Sequence, residues 1–260
     1  MKLKDKVAII TGGAKGIGQG CARVFARHGC AIMIADRDET AAAAAAKEVN
    51  DAGGRATFQR CDVICEEDIR SVIDETVRQH GRLDCIVNNA GWHPPATAIE
   101  QTSVTDFEAQ LRLNLTSTFL GCKYAVPHLR KTRGSIVIMS SEVALLGQAQ
   151  AVSYAASKAG QLGLTRALAL DLAADGVRVN AVCPSCVMTP LMREWTGTLD
   201  NPAEALRMVE NYHPVGRMAS IEEIGEVCAF LASEEASFIT GQSIAADGGA
   251  GLGYGNKRAG

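Results

Sequence analysis

Apolar positions along the chain fall into two alternating kinds of run. Short β-branched stretches such as Val7-Ala-Ile-Ile-Thr11 and Ala31-Ile-Met-Ile-Ala35 are separated by longer segments in which apolar residues recur at helical spacing. Residues 56–60, 85–88, 135–140, 177–182 and 243–246 continue the strand series. Runs that are apolar throughout predict strands buried on both faces, hence a parallel sheet between two helical layers. Helices are predicted over 16–28, 39–52, 66–79, 104–131, 153–174 and 221–232. Gly29 closes the first helix and Gly53-Gly54 the second, and the six alanines at 41–46 are helix formers rather than low-complexity sequence. No repeat or linker interrupts the alternation, so residues 1–260 read as one α/β domain with a seven-stranded parallel sheet. One stretch fits neither pattern. Residues 183–215 carry Pro184, Pro190, Pro202 and Pro214 and read as a long connector, of the kind more often used as a binding lid.

Composition narrows the picture. With 47% hydrophobic residues but 5% aromatics, the core must be aliphatic. A net charge of −3 with scattered basic residues excludes the electrostatic footprint of a nucleic-acid or anionic-membrane binder. No run reaches the length of a membrane span or a signal-peptide apolar region, so a soluble cytoplasmic protein is expected. The nine cysteines are then expected to be reduced and mostly buried. Cys183-Pro-Ser-Cys186 is the one C-x-x-C, but zinc wants four ligands and no second pair exists. A redox pair would open a helix, whereas this one ends a strand. No metal is expected.

The chemistry begins where the first strand ends. Thr11-Gly12-Gly13-Ala14-Lys15-Gly16-Ile17-Gly18 opens a helix, and glycines at 12, 16 and 18 let backbone turn tightly and approach a pyrophosphate at the helix N-terminus. Asp36 ends the second strand, eighteen residues beyond Gly18. A carboxylate there accepts hydrogen bonds from ribose hydroxyls and repels a 2′-phosphate. Lys15 and Arg37 would favour NADP, yet a carboxylate on the ribose should dominate, so NAD is expected. Further along, Tyr154-Ala-Ala-Ser-Lys158 sets a phenol and an ammonium on one helix face. Ser141 lies thirteen residues earlier at a strand end, Asn114 sits in a helical stretch, and Asn88-Asn-Ala-Gly91 ends the fourth strand.

Taken together, from Thr11-Gly12-x3-Gly16-x-Gly18 to Asp247-Gly248-Gly249, the chain resembles the short-chain dehydrogenases/reductases over almost its whole length. The resemblance implies a Rossmann fold and a tetrad of Asn114, Ser141, Tyr154 and Lys158. It puts Asp62, with Val63 after it, at the adenine, Asn89-Ala90-Gly91 behind the cofactor, and Val187 and Thr189, after Pro184, at the nicotinamide carboxamide. It also implies a homotetramer pairing the helices at 104–131 and 153–174, with the tail Ala250–Tyr254 reaching a neighbouring subunit. A tyrosine with an ordinary pKa near 10 is too weak an acid at neutral pH by about 3 pH units, roughly 4 kcal/mol. Lys158 and the positive nicotinamide would supply that difference by stabilising the phenolate. Ser141 would bond the substrate oxygen, Lys158 the nicotinamide ribose, and Asn114 a proton-relaying water. One position departs from the family pattern: Pro184 is followed by Ser185 where glycine is usual, which puts the loop path beside the nicotinamide in question.

Local stretches narrow the substrate. Gly91-Trp92-His93-Pro94-Pro95, Gly147–Val152 and Gly249–Gly255 resemble a hydroxysteroid dehydrogenase group, whereas Val187-Met-Thr-Pro-Leu191 with Trp195 resembles L-fucose dehydrogenases. A sugar pocket needs many hydrogen-bonding groups and a steroid slot needs apolar walls. Glu142, His93, Gln148, Ser185 and Glu194 are polar candidates; Trp92, Met188, Met192 and Trp195 are apolar ones. Trp195 suits a sugar face, a steroid wall or plain lid packing. Glu142 beside Ser141 favours a secondary or hemiacetal hydroxyl on an L-fucose-like aldose. The alternatives are a hydroxysteroid, a 3-oxoacyl or other carbonyl substrate, and a non-catalytic binding member of the fold.

Overall fold

A computed structural model describes residues 1–252 of the chain. Seven strands form one parallel sheet: β1 Val7–Thr11, β2 Ala31–Asp36, β3 Arg55–Arg60, β4 Cys85–Asn88, β5 Ser135–Met139, β6 Arg178–Pro184 and β7 Ser243–Ala246. Their spatial order is β3-β2-β1-β4-β5-β6-β7. β1, β2, β4 and β5 are buried almost throughout, because helices cover both sheet faces; the edge strand β3 alternates buried and exposed. On one face Ala8, Ile10, Ile32 and Ile34 meet α1 (Gly16–Arg27), α2 (Glu39–Asp51) and α10 (Ile221–Ala232). On the other, Ile9, Met33, Ile86 and Ile138 meet α3 (Glu66–His80), α5 (Ser117–Thr132) and α7 (Val152–Leu172). The chain reverses direction across the sheet between β1 and β4. In open α/β sheets a ligand crevice opens at that reversal, outside the carboxyl ends of the strands. Every strand expected from the apolar runs is present.

Two expectations about helices are corrected. The stretch at 104–131 is not one regular helix: α4 (Val104–Leu111) and α5 are joined by a π-helical turn at Arg112–Thr116 that carries Asn114. The inserted residue turns this side chain to a place where a regular helix would not put it. The segment at 183–215, expected as one long connector without helices, is the second. It holds α8 (Pro190–Gly197) and α9 (Pro202–Glu210), capped by Thr189 accepting from Met192 N and Asn201 accepting from Glu204 N. Pro190 and Pro202 occupy first helical turns, where the missing N–H costs nothing, so they start helices here rather than break them. A short helix α6 (Val143–Leu146) follows Glu142. Among the described residues no helix is long and apolar enough to cross a membrane. Ala250–Leu252 make a single turn, and Gly253 and Tyr254 of the expected tail lie outside the described residues.

Candidate active site

The glycine turn is shaped by close backbone approach. Gly12 has φ +62°, and a Cβ there would stand 2.9 Å from Ala90 Cα; one on Gly18 would stand 2.1 Å from Gly12 O. Both positions therefore require glycine. Asn89 pins the turn by donating through Nδ2 to Thr11 O (2.9 Å) and Gly12 O (3.1 Å), while Thr11 Oγ1 accepts from the amides of Asn89 and Ala90. α1 has no side-chain cap and no acid in its first turn, in contrast to α2 and α10, so its first amides and positive dipole end are free for an anion. Gly16 at this end faces Thr189, whose Cγ2 would be 3.5 Å from an added Cβ, and Ile17 packs on the core behind. Asp36 is fixed at the end of β2, accepting from Ala14 N (3.1 Å) and Asp38 N (3.0 Å). Lys15 is drawn to Asp38 at 2.8 Å, and Arg37 beside it is exposed. Cys61 N donates to the backbone carbonyl of Asp36, which sets Asp62 and Val63 just past the end of β3; Asp62 Oδ1 accepts from Ile64 N. A dinucleotide fits this cradle: an uncapped helix start for its pyrophosphate, and a carboxylate held at the end of the neighbouring strand for a ribose.

Four elements bring the catalytic candidates together. Asn114, fully buried, accepts at Oδ1 from Trp92 N (3.0 Å) and donates from Nδ2 to Trp92 O (3.1 Å) and Ser157 Oγ (3.0 Å). Ser157 in turn donates to Tyr154 O (2.8 Å), so the π turn is tied to the first turn of α7. Gly91 packs over Asn114 and Lys158; a Cβ on it would stand 3.0 Å from Asn114 Oδ1 and 3.6 Å from Lys158 Nζ. Lys158, 4% exposed, donates from Nζ to Met139 O (2.8 Å) at the end of β5 and lies 5.7 Å from the centre of the Tyr154 ring. Ser140 Oγ returns a bond to Lys158 O (3.0 Å). Burial pushes the Lys158 ammonium down to about 8. It also raises the Tyr154 phenol, with the Ser141 hydroxyl opposing. Desolvation thus works against both charged forms, and lowering the phenol depends on cations brought close to it.

Side chains also converge at the mouth. His93 packs on Tyr154 with ring centres 4.2 Å apart and ring planes tilted by 46°, and its Nε2 meets Gln148 Oε1 at 2.9 Å. Glu142 follows Ser141; its amide donates to Pro184 O (2.9 Å), and its Oε1 accepts from Ser185 Oγ (2.6 Å). Burial raises the Glu142 carboxyl, against the Ser185 hydrogen bond. Ser185 is not among the positive-φ residues, so serine after Pro184 needs no strained backbone. Val187 is buried and bridges to Ala219, and Thr189 N donates to Val187 O. Trp195 lies on α8 and is 44% exposed, apart from the buried cluster. Cys183 and Cys186 are free thiols, and burial pushes Cys183 up to about 11, outside the range of a reactive thiolate.

Sequence reasoning missed Thr11, Ser140, Ser157, Gln161 and His213. The first two are polar residues ending apolar strands. Ser157 and Gln161, both buried, share a face of α7 with Lys158, a readable polar stripe. Gln161 donates to Asn114 O and Thr118 Oγ1. His213 gave no such signal.

The family described as enoyl-(acyl carrier protein) reductase matches residues 12–251. The chain is 45% identical to L-fucose dehydrogenase of Bos taurus over 97% of its length and 92% of that protein's. It is 46% identical to L-fucose dehydrogenase of Oryctolagus cuniculus over 96% of its length and 86% of that protein's. The crystal structure of Cj0485 dehydrogenase superposes with a TM-score of 0.91 at 35% identity, covering 99% of this chain and 97% of that one. With the glycine turn, the Tyr154–Lys158 pair and these matches in agreement, the chain is an oxidoreductase of the short-chain dehydrogenase/reductase family that acts on CH–OH groups.

Proposed function

We propose that this oxidoreductase uses NAD to oxidise a hydroxyl of a small polyhydroxylated substrate, an L-fucose-like aldose foremost, and works as a cytoplasmic homotetramer. The observation that carries the substrate is Glu142: it adjoins Ser141, Ser185 holds one of its oxygens, and its Oε2 is buried with no partner. A buried carboxylate oxygen left unpaired is costly, and a sugar hydroxyl would satisfy it. The names of the bovine and rabbit relatives point the same way. NAD is favoured because a carboxylate held at the end of β2 would repel a 2′-phosphate, while Lys15 is engaged by Asp38. Nine cysteines, all free and mostly buried, suit a reducing compartment. Exposed Phe119 on α5 and Leu170 on α7 offer apolar surface for subunit pairing.

When bound, the oxidised nicotinamide accepts the hydride. Gly12, Lys15, Gly16, Ile17 and Gly18 would cradle the pyrophosphate, Asp36 and Arg37 the ribose, Asp62 and Val63 the adenine. Asn89, Ala90, Gly91, Pro184, Val187 and Thr189 would line the nicotinamide end. Ser141 would hold the reacting oxygen and Tyr154 take its proton. Lys158 would favour the phenolate through space and reach the ribose hydroxyls. Asn114 braces Trp92 and Ser157, which keeps the tyrosine in place. The test is a panel of aldoses, sugar acids, polyols and hydroxysteroids, each assayed with NAD and with NADP. Turnover of sugars with NAD is expected; equal use of both cofactors, or no sugar turned over, overturns the reading.

A further inference from the structure

Glu142, Ser185 and His213 come from the turn after β5, the end of β6 and the segment after α9, and they meet in one hydrogen-bonded row. Ser185 Oγ lies 2.6 Å from Glu142 Oε1 and 3.0 Å from His213 Nε2, and His213 Nδ1 lies 3.0 Å from Val209 O. His213 is 3% exposed. A backbone carbonyl only accepts, so Nδ1 carries a hydrogen, and a neutral imidazole leaves Nε2 as an acceptor. Ser185 has one hydrogen to give. Were Glu142 ionised and His213 neutral, that hydrogen would face two acceptors. One extra proton resolves the conflict, in either of two arrangements. In the first an imidazolium donates to Ser185, which donates to the carboxylate; in the second a carboxylic acid donates to Ser185, which donates to Nε2. Both hold the same number of protons, and in both Glu142 Oε2 keeps its lone pairs free.

We propose that Glu142, Ser185 and His213 share one proton as a triad that presents Glu142 Oε2 as the acceptor for a second substrate hydroxyl, with His213 as its positioning residue. The proposal rests on the polyhydroxylated-substrate reading of the same site. The other groups facing the row are already engaged or neutral. Asp247 accepts from Gly249 N and Gly251 N at 2.9 Å each. Arg217, which with His213, Cys186 and Asp247 lines a cavity of about 290 Å³ behind the row, is paired with Glu223 at 2.7 and 2.8 Å. Burial raises the Cys186 thiol, so it stays protonated. Tyr154, on the substrate side, has its phenol raised by burial. No other carboxylate or cation among these neighbours is free to settle the Ser185 hydrogen. With the proton shared, the Ser185 hydrogen has a single acceptor and the Glu142 carboxyl is held in one orientation, with Oε2 turned to a substrate hydroxyl.

Two measurements on the full chain decide it. Protein labelled with ¹⁵N at histidine and ¹³C at the glutamate carboxyl is followed by NMR between about pH 6 and 8, the interval in which histidine charge ordinarily changes. The expected result is either imidazolium with carboxylate or neutral imidazole with carboxylic acid, reverting to a neutral Nδ1–H imidazole in Glu142→Gln. Ionised Glu142 beside neutral His213 would overturn the triad. In the kinetic arm, His213→Gln should raise KM for 1,2-cyclohexanediol several-fold, because Ser185 loses the partner that fixes the Glu142 carboxyl. KM for cyclohexanol should stay within about twofold and kcat should be little changed. KM of the unmodified protein for the diol should also show an alkaline limb as the shared proton leaves, and the variant should lack that limb. Equal changes for both alcohols with the limb retained would overturn the positioning role. If diols and cyclohexanol are oxidised but no sugar is, the sugar reading fails while the triad stands.

Discussion

The glycine turn between β1 and α1 and the row of Glu142, Ser185 and His213 lie at the carboxyl ends of the strands but would hold a ligand by different means. The first is made of backbone: bare helix amides, two glycines held by close approach, and one carboxylate at a strand end. Asn89 is the main side chain locking it, from the end of the neighbouring strand. The second is made of side chains separated by 43 and 28 residues in sequence, meeting only because β5 and β6 are adjacent and the chain returns after α9. A site made of backbone tolerates little change, since its geometry and its binding are one thing. A site made of side chains is free to change partners on an unaltered sheet. The contrast explains how one fold keeps one cofactor while its substrates vary.

The largest effect should fall between these two regions. Tyr154→Phe should lower kcat about 10²–10⁴-fold, the usual worth of a general base, with NAD affinity nearly unchanged by fluorescence titration. Retention of more than about a tenth of kcat would require a different base. Lys158 should show the opposite balance between stability and activity. Its ammonium drops from 10.5 to about 8 on burial, so below pH 8 the folded protein carries a charge it holds less willingly than the unfolded chain. The penalty is constant below pH 8 and is relieved as pH rises toward 10.5, where the unfolded chain binds the extra proton. Lys158→Met should therefore stabilise the protein at pH 7 by up to about 3 kcal/mol in urea unfolding while removing activity. A destabilised variant would mean that the bond to Met139 O outweighs desolvation.

Smaller effects separate the two ends. Glu142→Ala should raise KM for a reactive sugar several-fold, from a loss of about 1–3 kcal/mol, while barely affecting a simple apolar alcohol. Parallel loss on both would mean that Glu142 supports the loop rather than the substrate. Asp36→Ala should cut the NAD-over-NADP preference in kcat/KM by about tenfold, near 1.4 kcal/mol, without changing which alcohols are used. A shift in alcohol preference would show that the two ends are coupled.

The same difference decided what could be read before the structure. The strands, the glycine turn, Asp36 and the Tyr154–Lys158 pair depend on local order, and each follows from apolar period or from spacing. Asn114 was legible as a residue but not as the occupant of a π turn, since an inserted residue leaves the helical period almost intact. Helices α8 and α9 were hidden because Pro190 and Pro202 mark loops as readily as helix starts; Thr189 and Asn201 before them are the capping signal. His213 could not be found at all. Its part depends on a hydrogen-bonded row across three elements, and nothing in its neighbours' pattern marks it.

Relative kcat/KM for L-fucose and for an estradiol-like hydroxysteroid, each with NAD and the unmodified protein, tests the account most directly. Glu142 Oε2 is a buried acceptor without a partner, and a steroid skeleton would leave it unmet at about 1–3 kcal/mol. The account predicts that the sugar is preferred by at least about tenfold. A higher kcat/KM for the steroid would contradict it, and Glu142 would then have to turn away from the pocket.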